Sequence, residues 1–178
     1  MEKKYDFETL ISKKGQGSYK WERMYKENPN IGDEIVPLSV ADMELKIAPE
    51  IINGLKKYLD ESVIGYTGTY DNYYNAVINW MEKRHNFKIE KDWIVTSSGV
   101  VSAIYDLVKA FTKEREGVII FTPVYYPFYS AIKDNNRKIV KCELINDNGH
   151  YKIDFEKFKK LSENKNNKLL ILCSPHNP

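Results

Sequence analysis

The second half of the sequence alternates short apolar runs with helical patterns, and this alternation restricts the possible folds more than any other feature. The runs "WIVTS", "GVIIF", "KIVKCE" and "KLLILC" are rich in β-branched residues, which favour strands. Between the first two runs, apolar residues recur at helical spacing from Val100 to Phe111. Strands that alternate with helices form right-handed crossovers, so the sequence predicts an α/β fold with a mostly parallel sheet and flanking helices.

Residues 1–47 lack this periodicity and include the glycine-containing loop "KKGQGSYKW". We expect them to form an N-terminal arm and part of a small domain, with a short helix near Trp21. Residues 48–178 begin with two helical patterns, and Asp71 or Asn72 is a suitable cap for the second. We interpret residues 48–178 as the first part of a larger domain.

The charge balance argues against nucleic acid and membrane partners. The 27 basic and 25 acidic residues give a formal net charge of +2, which offers little attraction for polyanions or anionic lipids. No stretch approaches the roughly 20 apolar residues that a membrane span needs. The N-terminus also lacks the apolar core of a signal peptide. We therefore expect a cytoplasmic protein.

The cysteines and histidines give no sign of a disulfide or a metal. Cys142 and Cys173 lie in strand-like apolar runs, where buried free thiols are expected in a reducing compartment. The three histidines are scattered, and no set of Cys, His, Asp and Glu has the spacing of metal ligands. The sequence therefore predicts no metal site.

A glycine turn follows the first predicted strand. In "TSSGVVSAI", small residues stand between a strand and a helix, so that backbone N–H groups can approach an anion at the positive end of the helix dipole. Gly99, Val100 and Val101 are therefore placed to hold a phosphate. The same pattern is also that of an ordinary helix cap, and it lacks the spacing of a nucleotide-binding motif.

Three further residues follow strands or lie in loops near them. Tyr125, after "GVIIF", can stack on a flat heterocycle or pack in the core before a proline turn. Asn177, after "KLLILC", can donate its amide to a ligand or start a turn. Tyr66, in "IGYTGTYDN", can reach an anion or remain an exposed aromatic residue. Together with the glycine turn, these positions suit a phosphorylated heterocycle bound at the strand ends.

Five motifs in combination carry a family resemblance: "VADMEL", "GYTGTYDNYYNAVINWM", "SSGVVSAI", "TPVYYPFY" and "LCSPHNP". They resemble the pyridoxal-phosphate enzymes of aminotransferase fold type I. The likeness is strongest to the cystathionine β-lyase group, which comprises carbon–sulfur lyases of the class I and II aminotransferase superfamily and includes the maltose-regulon modulator type. The resemblance extends from about Tyr5 to Pro178.

The resemblance implies pyridoxal 5'-phosphate as the cofactor and a role for each strand-end residue. It implies that Gly99, Val100 and Val101 hold the phosphate of the cofactor. The aromatic residue that stacks on the pyridine ring in this family matches Tyr125. The asparagine that hydrogen-bonds the phenolic oxygen of the cofactor matches Asn177.

The resemblance also implies a homodimer. In the family, the tyrosine that matches Tyr66 reaches the cofactor phosphate of the neighbouring subunit. The segment that matches Ala41 and Asp42 lines the substrate pocket. Because the active sites form at the subunit interface, we expect the N-terminal arm to contact the partner.

The implied reaction is the elimination of a thiol from a sulfur-containing amino acid, which yields pyruvate and ammonia. An aminotransferase shares these motifs and stays an alternative, although the stretches "ADM" and "PVYYPF" favour the lyase. An unrelated nucleotide-binding α/β domain is a third interpretation, and it predicts a complex with a nucleotide instead of pyridoxal phosphate.

The later motifs of the family are missing from the sequence. We expect the Schiff-base lysine, the aspartate beside the ring nitrogen and the arginine for the substrate carboxylate to lie beyond Pro178. No lysine of this chain has the required context, and the covalent steps need a lysine nucleophile. We therefore expect this chain alone to be an inactive N-terminal portion of the enzyme, or at most a binding protein.

Overall fold

The computed structural model describes residues 5–32 and 34–178 of the chain. The chain divides into two units, residues 1–69 and residues 70–178. The first unit contains helices α1 (Tyr19–Glu27) and α2 (Pro49–Glu61). The second unit contains, in chain order, α3 (Asp71–His85), a short 3₁₀ helix (Lys91–Trp93), α4 (Val100–Phe111), β1 (Gly117–Thr122), α5 (Pro127–Asp134), β2 (Lys138–Glu143), β3 (Ile145–Asp147), β4 (His150–Lys152), α6 (Phe155–Glu163) and β5 (Asn167–Ile171).

The main sheet of the second unit is parallel, with the strand order β2-β1-β5. Strand β1 lies in the centre, where Val118 pairs with Ile139 on one side and with Leu169 on the other. All residues of β1 are buried, as is typical of a strand covered on both faces. The predicted α/β fold with a parallel sheet and flanking helices is therefore confirmed.

The apolar side chains of β1 alternate between two packed layers because successive residues of a strand point to opposite faces. On one face, the buried cluster combines residues of β1 with residues that follow it or belong to α4 and α5: Val108, Val118, Ile120, Val124, Phe128 and Ile132. On the other face, Ile119 and Phe121 pack with Cys142, and Phe158 and Leu161 of α6 cover them. The core therefore has helices on both sides of the sheet.

The predicted strand "WIVTS" is absent, and this expectation was wrong. Trp93 ends the 3₁₀ helix, and the residues after it have no regular structure. A strand is stable only when its backbone groups pair with a neighbour, and no segment of the described chain pairs with this one. Val95 is accordingly 89% exposed. Its apolar, β-branched composition alone predicted a strand.

A hairpin that the sequence did not predict connects β2 to α6. Strands β3 and β4 pair antiparallel. The turn between them places Asn148 at φ +50° and Gly149 at φ +90°, the left-handed conformations that tight hairpin turns require. With strands of three residues each, the hairpin was too short to show a clear alternation of apolar and polar residues.

Aspartates near the starts of two helices have different roles. Asp154 caps α6, since its carboxylate accepts a hydrogen bond from the backbone N–H of Lys157 at 2.9 Å. Asp71 does not cap α3, because the helix begins at Asp71 itself and Tyr70 occupies the capping position. The Asp71 carboxylate instead pairs with the Lys91 ammonium at 2.7 Å.

Helix α4 is held at its C-terminal end by Arg137, which precedes β2. The guanidinium donates to the Thr112 hydroxyl at 2.8 Å and to the Thr112 carbonyl oxygen. A cation at this end of a helix also complements the negative end of its dipole. Because α4 runs back along the sheet and leads into β1, its N-terminus lies toward the edge where the parallel strands end.

The cysteines are both free, but only Cys142 is buried as expected. Cys173 is half-buried and lies beyond the end of β5 at Ile171, so the prediction that it is buried within a strand was wrong. None of the helices that the structure describes has both the length and the apolar character needed to cross a membrane.

Candidate functional site

Three predicted site segments lie toward one edge of the sheet in the second unit. Strands β1 and β5 are parallel neighbours, so the loops that follow them leave the sheet at the same edge. These loops carry Tyr125 and Asn177. The N-terminus of α4, with Gly99 before it, points toward this edge as well. This is the edge where ligands bind in parallel α/β sheets.

The turn before α4 presents backbone donors. Gly99 has φ +154°, a conformation that residues with a side chain rarely adopt. Its carbonyl oxygen accepts the first helical hydrogen bond, from Ala103 N–H at 3.0 Å. The N–H groups of Val100, Val101 and Ser102 therefore have no partner inside the helix. These donors, at the positive end of the helix dipole, have the chemistry that holds a phosphate group.

The turn is open to solvent. The Val100 side chain is 77% exposed and Val101 is 38% exposed. A Cβ atom at Gly99 would meet no other atom within 4 Å, so the backbone conformation, not crowding, requires glycine here. Ser97 supports the turn by donating its hydroxyl to the Gly99 carbonyl oxygen at 3.3 Å.

The Tyr125 ring is fixed by its neighbours. It packs edge-on against Phe128, with ring centroids 5.9 Å apart and planes at 82°, and against Tyr126 at 5.2 Å and 60°. The ring also packs against the core cluster that contains Ile120, but it is only half-buried. Tyr125 is therefore anchored in the core, and part of its side chain stays accessible. Its stacking on a ligand stays a prediction.

The Asn177 side chain is exposed beyond the end of β5. Within the described residues, its amide has no hydrogen-bond partner, so its donors are available to a ligand. The preceding His176 donates its Nε2–H to the carbonyl oxygen of Pro123 at 2.7 Å. Nothing in the sequence marked His176 as part of this site, although it stands in the same "SPHNP" motif as Asn177.

The remaining predicted residues lie in the first unit. Ala41 is exposed, and the Asp42 carboxylate accepts a hydrogen bond from the Lys13 ammonium at 2.6 Å. This hydrogen bond lowers the pKa of Asp42 below its ordinary value. Tyr66 is fully exposed, in the loop after α2. The predicted site residues thus form two groups, one in each unit.

Lys20 was also missed, because nothing in the sequence marks it as a buried charge. Its side chain is 2% exposed and pairs with Glu44 at 2.8 Å. It also donates to the backbone carbonyl oxygen of Asp42. In the described part of the chain, no group of three or more His, Cys, Asp or Glu side chains is placed to hold a metal ion.

The known proteins that are similar to this chain agree with one another. The sequence profile of the family described as aminotransferase class I and II matches residues 33–178. Cystathionine beta-lyase PatB of Bacillus subtilis (strain 168) is 36% identical over 173 residues, which are 97% of this chain. The crystal structure of cystalysin from Treponema denticola, which contains a pyridoxal 5'-phosphate cofactor, is 57% identical and covers 99% of this chain with a TM-score of 0.95.

A third relative is a pyridoxal-phosphate-bound C–S lyase from Staphylococcus hominis, whose structure is 30% identical, covers 99% of this chain and gives a TM-score of 0.89. The chain spans less than half of the length of these proteins. It covers 44% of the B. subtilis lyase, 45% of the cystalysin chain and 44% of the S. hominis lyase.

Proposed function

Because the chain belongs to the class I and II aminotransferase family, we propose that it forms the cofactor-binding part of a pyridoxal-phosphate-dependent carbon–sulfur β-lyase. The proposed substrate is a sulfur-containing amino acid, such as cystathionine, from which the enzyme releases a thiol, pyruvate and ammonia. The names of the B. subtilis and S. hominis relatives support this reaction, and the cofactor in the T. denticola structure supports the proposed cofactor.

The observation that carries the proposal is the set of groups at the carboxyl edge of the sheet. The N–H groups of Val100 and Val101, which have no partner inside α4, suit the phosphate of the cofactor. The half-buried ring of Tyr125 suits stacking on a flat heterocycle. The amide of Asn177, which has no hydrogen-bond partner among residues 5–32 and 34–178, suits a hydrogen bond to an oxygen on that ring. An anion site, an aromatic surface and an amide donor together fit pyridoxal phosphate.

In the proposed mechanism, bound pyridoxal phosphate supplies an electron sink for the charge that forms at the α-carbon of the amino acid. The turn at Gly99 would bind the phosphate of the cofactor. Tyr125 would stack on the ring and exclude water from it. Asn177 would orient the ring by donating its amide N–H. Ala41 and Asp42 line the pocket for the amino acid.

The proposal assigns these residues to binding and orientation only. The lysine that holds the cofactor covalently is proposed to lie beyond residue 178, because no lysine of the sequence stands in the motif context that the family resemblance implies. The chain by itself is then inactive as a lyase. A mixture of the 178-residue chain with pyridoxal phosphate and cystathionine tests this point. Release of pyruvate from that mixture would contradict it.

The full-length protein is proposed to be a cytoplasmic homodimer in which Tyr66 reaches the cofactor phosphate of the partner subunit. The complete exposure of the Tyr66 side chain supports this role. Several apolar residues of α2 are exposed as well, among them Ile51 and Leu55, and a partner would cover such a surface. Residues 1–47 are proposed to form the partner-contacting arm, and residues 48–178 the first part of the large domain.

The decisive experiment uses the protein expressed from its complete coding sequence and loaded with pyridoxal phosphate. With L-cystathionine, a β-lyase releases pyruvate and free thiol in equal amounts and needs no second substrate. A lactate dehydrogenase assay and a thiol reagent measure the two products. The absence of both products, with cofactor bound, would refute the lyase assignment.

An aminotransferase is the second candidate, and the description of the matching family favours it. It predicts a new amino acid only when a 2-oxo acid is added as acceptor, and no free thiol. Chromatography of the amino acids, with and without 2-oxoglutarate, distinguishes the two enzymes. If the complete protein binds no pyridoxal phosphate, both enzyme assignments fail and a non-catalytic binding protein remains.

A further inference from the structure

One hydrogen bond joins the loops that follow β1 and β5. A carbonyl oxygen can only accept, so the Nε2 atom of His176 carries the proton that it donates to Pro123 O at 2.7 Å. His176 directly precedes Asn177, and Pro123 stands two residues before Tyr125. The bond therefore connects the loop that carries the aromatic ring to the loop that carries the amide donor.

The sheet does not fix these two loops relative to each other. The ladder between β1 and β5 ends with the pair Ile120 and Ile171. Beyond it, Tyr125 is anchored in the core by its contact with Phe128. Asn177 has no comparable anchor, since it is exposed and its amide has no partner among the described residues. Its position therefore depends on the backbone of its own loop.

The other side-chain hydrogen bond of this loop among the described residues is local. The Cys173 thiol lies 3.4 Å from the carbonyl oxygen of Pro175, so this interaction joins two residues of the same loop. This hydrogen bond does not tie the loop to β1. The Cys173 side chain itself packs against the core cluster that contains Ile120, but it stands four residues before Asn177. In the described chain, the bond from His176 is the side-chain hydrogen bond that crosses from the β5 loop to the β1 loop.

We propose that His176 is a positioning residue of the cofactor site, which acts by holding Asn177 at a fixed place relative to Tyr125. The inference rests on the proposed function, because it assigns both residues to the same bound ring. A loop held in place before binding presents its amide without a further loss of conformational freedom. Without the bond, the cofactor must order the loop, and its affinity falls. His176 itself does not touch the cofactor.

Two substitutions separate positioning from general stability. In His176→Gln, the amide nitrogen can reach the place of Nε2 and donate to Pro123, whereas the shorter side chain of His176→Asn cannot. The same two changes at His150, which is exposed in the β3–β4 hairpin, serve as matched controls. Each variant is made in the complete protein, freed of cofactor, and titrated with pyridoxal phosphate by tryptophan fluorescence. Melting temperatures are measured on the cofactor-free samples.

We expect His176→Asn to weaken cofactor binding about fivefold, which corresponds to one hydrogen bond of about 1 kcal/mol. His176→Gln should bind within about twofold of the wild type, as should both His150 variants, and the melting temperatures should agree. Wild-type affinity in His176→Asn would overturn the proposal. Equal losses of cofactor affinity in the Asn and Gln variants, together with lower melting temperatures, would show a merely structural role. That result would overturn the proposal as well.

A second measurement does not depend on the cofactor. Hydrogen exchange of residues 172–177 in the cofactor-free protein should be faster in His176→Asn than in the wild type and nearly unchanged in His176→Gln. If the wild type binds no pyridoxal phosphate, the proposed function fails, and the role at a cofactor site fails with it. If the wild type binds and exchange is the same in all variants, only the positioning role fails.

Discussion

Lys20 and Glu44 form an ion pair that is almost closed to solvent. The Nζ atom of Lys20 lies 2.8 Å from Oε1 of Glu44, and the two side chains are 2% and 13% exposed. The indole N–H of Trp21 donates to the same carboxylate at 3.0 Å. Because Lys20 also binds the carbonyl oxygen of Asp42, the pair fixes the segment that is proposed to line the substrate pocket.

We expect Glu44→Gln to destabilise the protein at neutral pH and to have little effect in acid. The hydrogen bond from Lys20, followed by that from Trp21, lowers the pKa of Glu44 from its ordinary value of 4.5. A carboxyl group with a lowered folded-state pKa stabilises the fold above its unfolded pKa. This contribution is lost as the pH falls through the folded pKa.

Urea unfolding of the wild type and Glu44→Gln checks this at pH 7 and at several values below 4.5. The difference in unfolding free energy should be largest at pH 7 and should narrow in acid. Glu61→Gln, in a pair that is 64% exposed on the Glu61 side, is the control and should show little difference at any pH. A difference in unfolding free energy that stays constant with pH would contradict the lowered pKa of Glu44.

We expect Gly117→Ala to lower the free energy of unfolding by about 1–3 kcal/mol, the usual cost of overpacking. A Cβ atom at this position would overlap the Asn167 amide and lie 2.9 Å from Cγ2 of Val140. Asn167 is not free to turn away, since its Nδ2 donates to the Leu161 carbonyl oxygen at 2.7 Å. Gly54→Ala in α2, where a Cβ meets nothing, should be neutral or stabilising. Similar effects at both glycines would refute the packing argument.

Ile132→Ala should lower the free energy of unfolding by about 2–5 kcal/mol, as expected for a fully buried isoleucine. Ile132 is 0% exposed and packs with Val108 and Phe128 between the sheet and its helices. Ile145→Ala, at a position that is 50% exposed, removes the same atoms from the surface and should cost much less. Denaturant unfolding measures the free energy of unfolding of both variants. Equal losses in the two would contradict the packing of Ile132 in the core.

Gly99→Ala should weaken binding of pyridoxal phosphate to the complete protein by about fivefold or more. A side chain at φ +154° costs of order 1–3 kcal/mol of backbone strain, so the turn relaxes and moves its N–H groups. Gly149→Ala imposes a comparable strain, at φ +90° in the β3–β4 hairpin, and should leave the affinity unchanged. Fluorescence titration measures both variants. An equal loss in both would show that the glycine turn has no special role.

The sequence predicted those parts of the fold that are determined by residues close together in the chain. The central strand around Ile120 was evident because a strand buried on both faces is a continuous apolar run. The partly exposed strands around Val140 and Leu170 were evident from their shorter apolar runs. The run after Trp93 has the same composition, but a strand also needs a neighbour to pair with. Whether that neighbour exists is a property of the whole sheet, and composition does not encode it.

The candidate site shows the same division. The turn at Gly99 was predictable from small residues between an apolar run and a helical pattern. The contact of His176 with Pro123 was not, because it joins residues 53 positions apart. The burial of Lys20 was likewise hidden, since it depends on the distant Glu44. Local motifs indicated the groups that suit a ligand, whereas the contacts that hold these groups in place are long-range.

Because the two thiols lie in different environments, their reactions with a thiol reagent report on two different conformational states of the protein. Burial raises the pKa of Cys142, which is 0% exposed in β2, and thiol reagents attack the thiolate. Cys173, half-buried at the end of the sheet, is reachable in the folded state. The alkylation rate of Cys173 therefore measures the accessibility of a thiol in the folded state. The alkylation rate of Cys142 measures how often the sheet separates from α6 and exposes this thiol. Mass spectrometry of the two peptides would follow both processes in one sample, without an added label.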